Sequence, residues 1–165
     1  MLSMRGKSIR LATGKIGLIS DTHGLIRPEA LAALHGVQLI IHAGDIGKPE
    51  VLQSLSEIAP VMAIRGNNDR QDWARRLPDI LHLRINGVKL EVIHNLQEIE
   101  DKPATRGVRA VISGHSHKPH RVEREGVLYI NPGSAGPRRF KLPVAIGKML
   151  LHGRTIHARI IELKI

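Results

Sequence analysis

At 165 residues the chain is long enough to bury a substantial core and is read most simply as one domain. Hydrophobic content of 42% excludes a disordered chain, and the absence of cysteine excludes disulfides and thiolate chemistry. A net charge of +10, with no apolar run near the ~20 residues of a membrane span, favours anionic partners and no membrane association.

Aromatic residues make up only 2% of the chain (Trp73, Tyr129 and Phe140), too few for the stacking platform of a single-strand nucleic-acid binder. Nucleic acid therefore stays a disfavoured partner despite the charge, and a homo-oligomer stays open. Residues 1–14 carry Arg5, Lys7 and Arg10 without the apolar core of a secretory signal. They read as a disordered basic leader ahead of a single domain over 15–165, and a cytoplasmic location follows by default.

Lys15 to Ile19 reads as a first buried strand, ending in Ser20-Asp21-Thr22-His23-Gly24. Pro28 opens a short helix with Leu31 and Leu34, closed by Gly36. Val37 to Ile41 is a second strand, ending in His42-Ala43-Gly44-Asp45, and Pro49 opens a helix with Val51, Leu52, Leu55 and Ile58 at helical spacing. Val61 to Ile64 is a third strand, ending in Arg65-Gly66-Asn67-Asn68-Asp69. This βαβαβ order implies a parallel sheet with right-handed crossovers. Leu81, Leu83 and Ile85 then alternate, Asn86-Gly87 is a two-residue hairpin turn, and Val88, Leu90 and Val92 alternate back into Ile93-His94-Asn95. Residues 97–107 hold one helical turn or two. Ala110 to Ile112 delivers Gly114-His115-Ser116-His117, and the last third reads as two hairpins, 121–130 and 144–165. In the final strand the apolar parity slips between Ile160 and Ile161, which implies a bulge or burial on both faces.

Just beyond the core strands stand Asp21, His23, Asp45, Asn67, His94, His115 and His117, all competent nitrogen or oxygen metal ligands. Two histidines one residue apart would point to opposite faces on a continuing strand; in a tight turn opened by Gly114 they reach neighbouring sites. Ligands in α/β sheets collect outside the carboxyl ends of strands, so all seven can share one crevice. A carboxylate such as Asp45 can bridge two ions, and two divalent ions ~3.5–4 Å apart suit in-line displacement at phosphorus. With only Asp21 and Asp45 negative, two such ions and a bridging hydroxide stay net positive and suit a phosphate ester.

The series Asp21-x-His23, Gly44-Asp45, Gly66-Asn67-x-Asp69, His94 and Gly114-His115-x-His117 resembles the calcineurin-like metallophosphoesterase superfamily. The compact length, the wording around Asp21 and Asp45, and Asn131-Pro132-Gly133-Ser134 are similar to its small YfcE-type phosphodiesterase branch. The resemblance implies an α/β fold, a four-layer αββα sandwich with a dimetal site at one edge. It implies that Asp21, His23, Asp45 and His117 hold one ion, and Asp45, Asn67, His94 and His115 the other. It also implies two divalent transition-metal ions, Mn²⁺ first and Fe, Zn²⁺, Ni²⁺ or Co²⁺ otherwise. A dimetal-bridging hydroxide then hydrolyses a small phosphate ester, with Asn67, Asn68 and Asp69 as the catalytic loop.

Two positions depart from the pattern. Asn68 stands where many members have a histidine that helps the leaving oxygen depart; an amide hydrogen-bonds but is no general acid, so diesters with good leaving groups are preferred. Asn95 stands where glycine usually follows the ligand histidine. His42, close to Asp45, is the one other histidine placed to support the site, and Arg138 and Arg139 are candidate phosphate contacts. Two alternatives are a non-catalytic interaction scaffold, since the superfamily includes the scaffold subunit of retromer with a degraded site, and a nuclease with the same chemistry.

Overall fold

The computed structural model describes residues 7–165. Strand β1 (Lys7–Ile9) runs along one sheet edge, β2 is Lys15–Ile19, and helix α1 is Pro28–Ala33. They are followed by β3 (Leu39–His42), α2 (Pro49–Ser56), β4 (Val61–Ala63), β5 (Ile80–Ile85), β6 (Val88–Ile93) and β7 (Val108–Ile112). Strands β8 (His120–Arg124), β9 (Val127–Asn131), β10 (Ala145–His152) and β11 (Thr155–Glu162) close the fold.

The expected βαβαβ unit forms: β2 pairs with β3, and β3 with β4, all parallel. Antiparallel β10 and β11 extend that sheet to the order β11-β10-β2-β3-β4. The second sheet is mixed, in the order β1-β5-β6-β7-β9-β8. Its β5–β6 hairpin turns on Asn86 (φ 50°) and Gly87 (φ 81°), the two positive values that a tight primed turn needs. The sheets pack face to face through Ile16, Leu18, Ile41, Leu90, Ile112 and Met149. Each helix starts with proline at its first turn and buries one stripe, Ala30 in α1 and Val51 with Leu55 in α2, against the outer face of the first sheet. On the second sheet the outer layer is reduced to two 3₁₀ turns, Leu96–Glu98 and Pro103–Arg106. The result is an αββα sandwich with one thin outer layer.

Two expectations are refined. Residues 1–6 of the leader lie outside the described residues, but 7–14 are not a loose leader. β1 pairs in parallel with β5, and Asn86 accepts from the Leu11 N–H at 2.7 Å and donates to its carbonyl at 2.9 Å. Ile9 and Leu11 pack on the core, an alternation too short to read as a strand from sequence. In β11 the parity slip is no bulge, because the register with β10 runs unbroken from Ala145↔Glu162 to His152↔Thr155. Ile160 packs between the sheets and Ile161 beneath the helices, so both faces are buried there.

Candidate metal centre

The carboxyl ends of β2, β3, β6 and β7 and the segment after β4 meet at one edge of the sandwich. Backbone bonds join them: Asp21 N–H to Gly44 O, His23 N–H to Asp45 O, and Gly114 N–H to His94 O. Five of the expected ligands adopt the left-handed backbone: Asp21 (φ 53°), His23 (46°), Asp45 (56°), His115 (72°) and His117 (61°). Non-glycine residues rarely do so, and such strain persists where surrounding contacts over-determine it. In the His115–His117 turn the histidines themselves carry the positive φ, not Gly114. Gly114 is needed for close approach, because a Cβ there would run into the Ser20 hydroxyl. A Cβ at Gly66 would likewise meet the Asp45 carboxylate.

Asp21 is fully buried. Its Oδ2 accepts from the Ser20 hydroxyl at 2.8 Å and the His115 N–H at 3.0 Å. Its Oδ1 is buried with no hydrogen-bond partner among the described residues, yet lies 3.4 Å from His117 Nε2 and 3.9 Å from both His23 Nε2 and His94 Nε2. His94 Nδ1–H donates to Ala43 O at 2.7 Å, which turns Nε2, without a hydrogen-bond partner among the described residues, toward the carboxylates. Asp45 Oδ2 sits 3.7 Å from His23 Nε2 and 3.3 Å from His94 Nε2. Asp21 with His23 and His117, and Asp21 with Asp45 and His94, form two groups of converging donor atoms, with Asp45 Oδ2 lying between His23 and His94. At the exposed mouth His115 Nδ1 meets Asn67 Oδ1 at 3.1 Å, and its ring stands edge-on to His94 with centroids 5.2 Å apart.

Charge in this cluster is badly balanced without a cation. Burial pushes the Asp21 carboxyl up to about 6, against the charge of His94 and the Ser20 hydroxyl, which favour the ionised form. Burial also pulls His117 down to about 4, aided by the Arg139 and His23 charges. Asp45 goes the other way: burial alone would raise it, but the neighbouring His94 imidazole and the bond from the Asn68 N–H hold it at about 2. An orphaned buried carboxylate oxygen among converging imidazole nitrogens is the environment that a divalent ion completes.

The Asn67-Asn68-Asp69 loop divides its work differently from the expectation. Asn68 donates both its N–H (2.9 Å, to Oδ1) and its side-chain amide (3.1 Å, to Oδ2) to Asp45, so its amide fixes that carboxylate. Asp69 is buried and accepts three backbone N–H groups, from Ile46, Gly47 and Gly66 at 2.9–3.0 Å. It clamps the β3–α2 loop to the segment after β4. Asn95 has ordinary extended backbone (φ −107°) and its side chain caps the following 3₁₀ turn at Gln97 N–H, so nothing at this position requires glycine.

The pattern of strand-end ligands misses the residues that hold the loops. The Asn131 amide donates to Gly114 O at 2.9 Å and Ser116 Oγ at 3.0 Å, and Ser134 Oγ donates to Asp21 O at 2.8 Å. Asn131 and Ser134 belong to the Asn131-Pro132-Gly133-Ser134 stretch, and its place at the carboxyl end of β9 is the sequence signal for them. His42 is fully buried, as a supporting role requires. Gly44 N–H donates to its Nδ1 at 3.1 Å, so its Nε2–H donates to Thr22 Oγ1 at 3.0 Å, and that hydroxyl donates to Ile46 O at 2.8 Å.

Burial drives His42 down to about 3 from an ordinary 6.5. Between those values the unfolded chain binds a proton that the folded chain refuses, so stability is lost as pH falls from 6.5 toward 3. The slope approaches about 1.4 kcal/mol per pH unit. Glutamine can keep both bonds without titrating. Urea midpoints of His42→Gln should therefore be flatter than those of the unmodified chain across this window; an identical slope would refute the locked neutral ring.

Comparison with known proteins gives one coherent result. Residues 15–152 match the model of the calcineurin-like phosphoesterase superfamily domain. A "probable metallophosphoesterase" of Methanothermobacter thermautotrophicus is 34% identical over 159 residues, covering 89% of this chain and 91% of the relative. The phosphodiesterase YfcE of Escherichia coli K12 is 26% identical over 163 residues, covering 82% and 86%. The solved structure of vacuolar protein sorting 29 from Cryptosporidium parvum superposes with a TM-score of 0.77 at 20% identity, covering 92% of each chain.

Proposed function

Because the chain belongs to the calcineurin-like phosphoesterase superfamily, we propose that this phosphoesterase is a metal-dependent phosphodiesterase working at the Asp21–His117 edge. The observation that carries the reading is Asp21 Oδ1, buried without a hydrogen bond and 3.4–3.9 Å from three imidazole Nε2 atoms. Asp21, His23, Asp45 and His117 are the residues to hold one ion, and Asp45, Asn67, His94 and His115 the other. Bound there, the ions supply Lewis acidity toward phosphorus and a water acidic enough to attack at neutral pH. No donor set of this kind selects one transition metal over its neighbours, and Mn²⁺ is the first to test.

The chain's own residues orient the reaction. Asn68 and the Asp69 clamp hold Asp45, Ala43 O sets the His94 tautomer, and Ser20 and the His115 N–H leave only one Asp21 oxygen free. No histidine follows Asn67 to protonate a leaving alkoxide, which favours diesters whose leaving group departs as a stable anion. The experiment is hydrolysis of bis-p-nitrophenyl phosphate beside p-nitrophenyl phosphate, metal-stripped and with Mn²⁺ restored. Metal-dependent cleavage with the diester ahead is expected; a faster monoester would remove the diester assignment.

Arg139 is the candidate cation for the phosphate of the substrate. Its loop is fastened to the Asp21 loop by the Ala135 N–H to Ser20 O and by Ser134, and its charge is felt at both His23 and His117. Arg139 makes no ion pair among the described residues. Arg139→Ala should raise KM for the diester about tenfold with kcat little changed, the signature of lost ground-state binding. An unchanged KM would make it a solvated surface charge.

The likeness to vacuolar protein sorting 29 supports the fold alone at 20% identity. Intact ligand-type side chains at all seven positions favour the enzyme over an interaction scaffold.

A further inference from the structure

The outer face of the β11-β10-β2-β3-β4 sheet is only half covered. The helices lie over Ile19, Ile40, Ala63, Ile146 and Ile161. Beyond them, where β2 begins, an open groove of about 500 Å³ runs along β10 and β11. This volume suits a small organic molecule, and a concave face does not fit a flat membrane.

The groove has an unusual charge. Lys15, Lys148 and Arg159 line it together with His35 and His157, and no carboxylate does. None of the three permanent cations has an ion-pair partner among the described residues. Lys148 and Arg159 are direct cross-strand partners in the β10–β11 ladder. Like charges in that position destabilise a strand pair, and the 15 acidic residues of the chain supply no relief here. Alternation in both strands puts these cations on the outer face, opposite to Met149 and Ala158, which pack between the sheets. Between them the 37% exposed Leu150 offers apolar surface, and the largely buried Val37 lines the groove beside it.

We propose that this groove is a second binding site, for a phosphate monoester with a hydrocarbon body. Three cations and two imidazoles match a dianion, and bidentate contact with phosphate is the habit of arginine. The apolar strip takes the hydrocarbon. A nucleoside body is disfavoured because the groove contains no phenyl, phenol or indole ring on which a base would stack. The site is separate from the metal centre: Lys15 opens β2 and Asp21 follows its end, about 20 Å away at strand rise.

The test is amide chemical-shift mapping of the full-length chain in EDTA, titrated with geranyl phosphate. Shifts are expected at Lys15, Lys148, Leu150 and His157, with none at Asp21, Asp45 or His94. Geraniol and inorganic phosphate should each bind at least about tenfold more weakly, since each offers half of the contacts. The Lys148→Gln/Arg159→Gln double variant should lose about tenfold or more in affinity. It should melt no lower than the unmodified chain, because a like-charge pair is removed, and should hydrolyse aryl diesters unchanged. Absence of shifts in the groove, affinity untouched by the double variant, or adenosine monophosphate binding as tightly as geranyl phosphate would each overturn the assignment.

Discussion

Asp21→Asn is expected to make the metal-free protein more stable and to abolish its stabilisation by metal. Burial raises this carboxyl from 3.8 to about 6, so folding favours its protonated form and penalises its ionised form. The sign follows from linkage: the folded chain holds the extra proton, and the stability it confers is lost as pH rises through about 6. At neutral pH the buried charge costs about 3 kcal/mol for a shift of this size. Asparagine removes the charge and keeps an oxygen for the Ser20 hydroxyl and the His115 N–H, while its NH₂ faces the imidazole nitrogens around Oδ1. Melting in EDTA at pH 7.5 should rise by about 6–12 °C, shrinking toward zero below pH 3.8. Added Mn²⁺ should raise the melting temperature of the unmodified chain and leave the variant where it was. A variant that melts lower in EDTA would mean that Asp21 serves packing and not a cation.

The second large effect is on turnover. His115→Ala should reduce kcat on an aryl diester by about 10²–10³-fold, the range for losing one group that stabilises transition-state charge. Stability should change little, within about 0.5 kcal/mol, because the ring is exposed and its one side-chain bond among the described residues is to exposed Asn67. The two readouts together separate a functional loss from unfolding. Asp45→Ala is a poorer probe, since it also strips an acceptor from both donors of Asn68. Full activity in His115→Ala would remove this histidine from the centre.

Much of this was legible in the chain because strand alternation and strand-end residues are local signals. Asn86-Gly87 announces its own turn, and Pro28 and Pro49 announce their helices. The seven ligand-type residues are visible because each follows a run of buried apolar residues. What stayed hidden depends on three-dimensional closure. Asp69 reads like a member of the catalytic loop, and only its three backbone donors, two of them from the distant Asp45 loop, show it to be a clamp. Asn95 reads as an awkward replacement until its side chain is seen capping the next turn. The left-handed backbone at His115 and His117 has no sequence signature, because histidine takes it only under tertiary constraint. β1 pairs with a strand 76 positions further on (Lys7↔Leu83), a contact that no local pattern contains.

Metal content and turnover should be measured on one sample, as metal-stripped chain is titrated with Mn²⁺ and assayed on bis-p-nitrophenyl phosphate. Two ions per chain, with cleavage rising as the sites fill, is the expected result. Two ions bound with no cleavage under any divalent metal would contradict the phosphodiesterase and make the chain an interaction scaffold on the same fold.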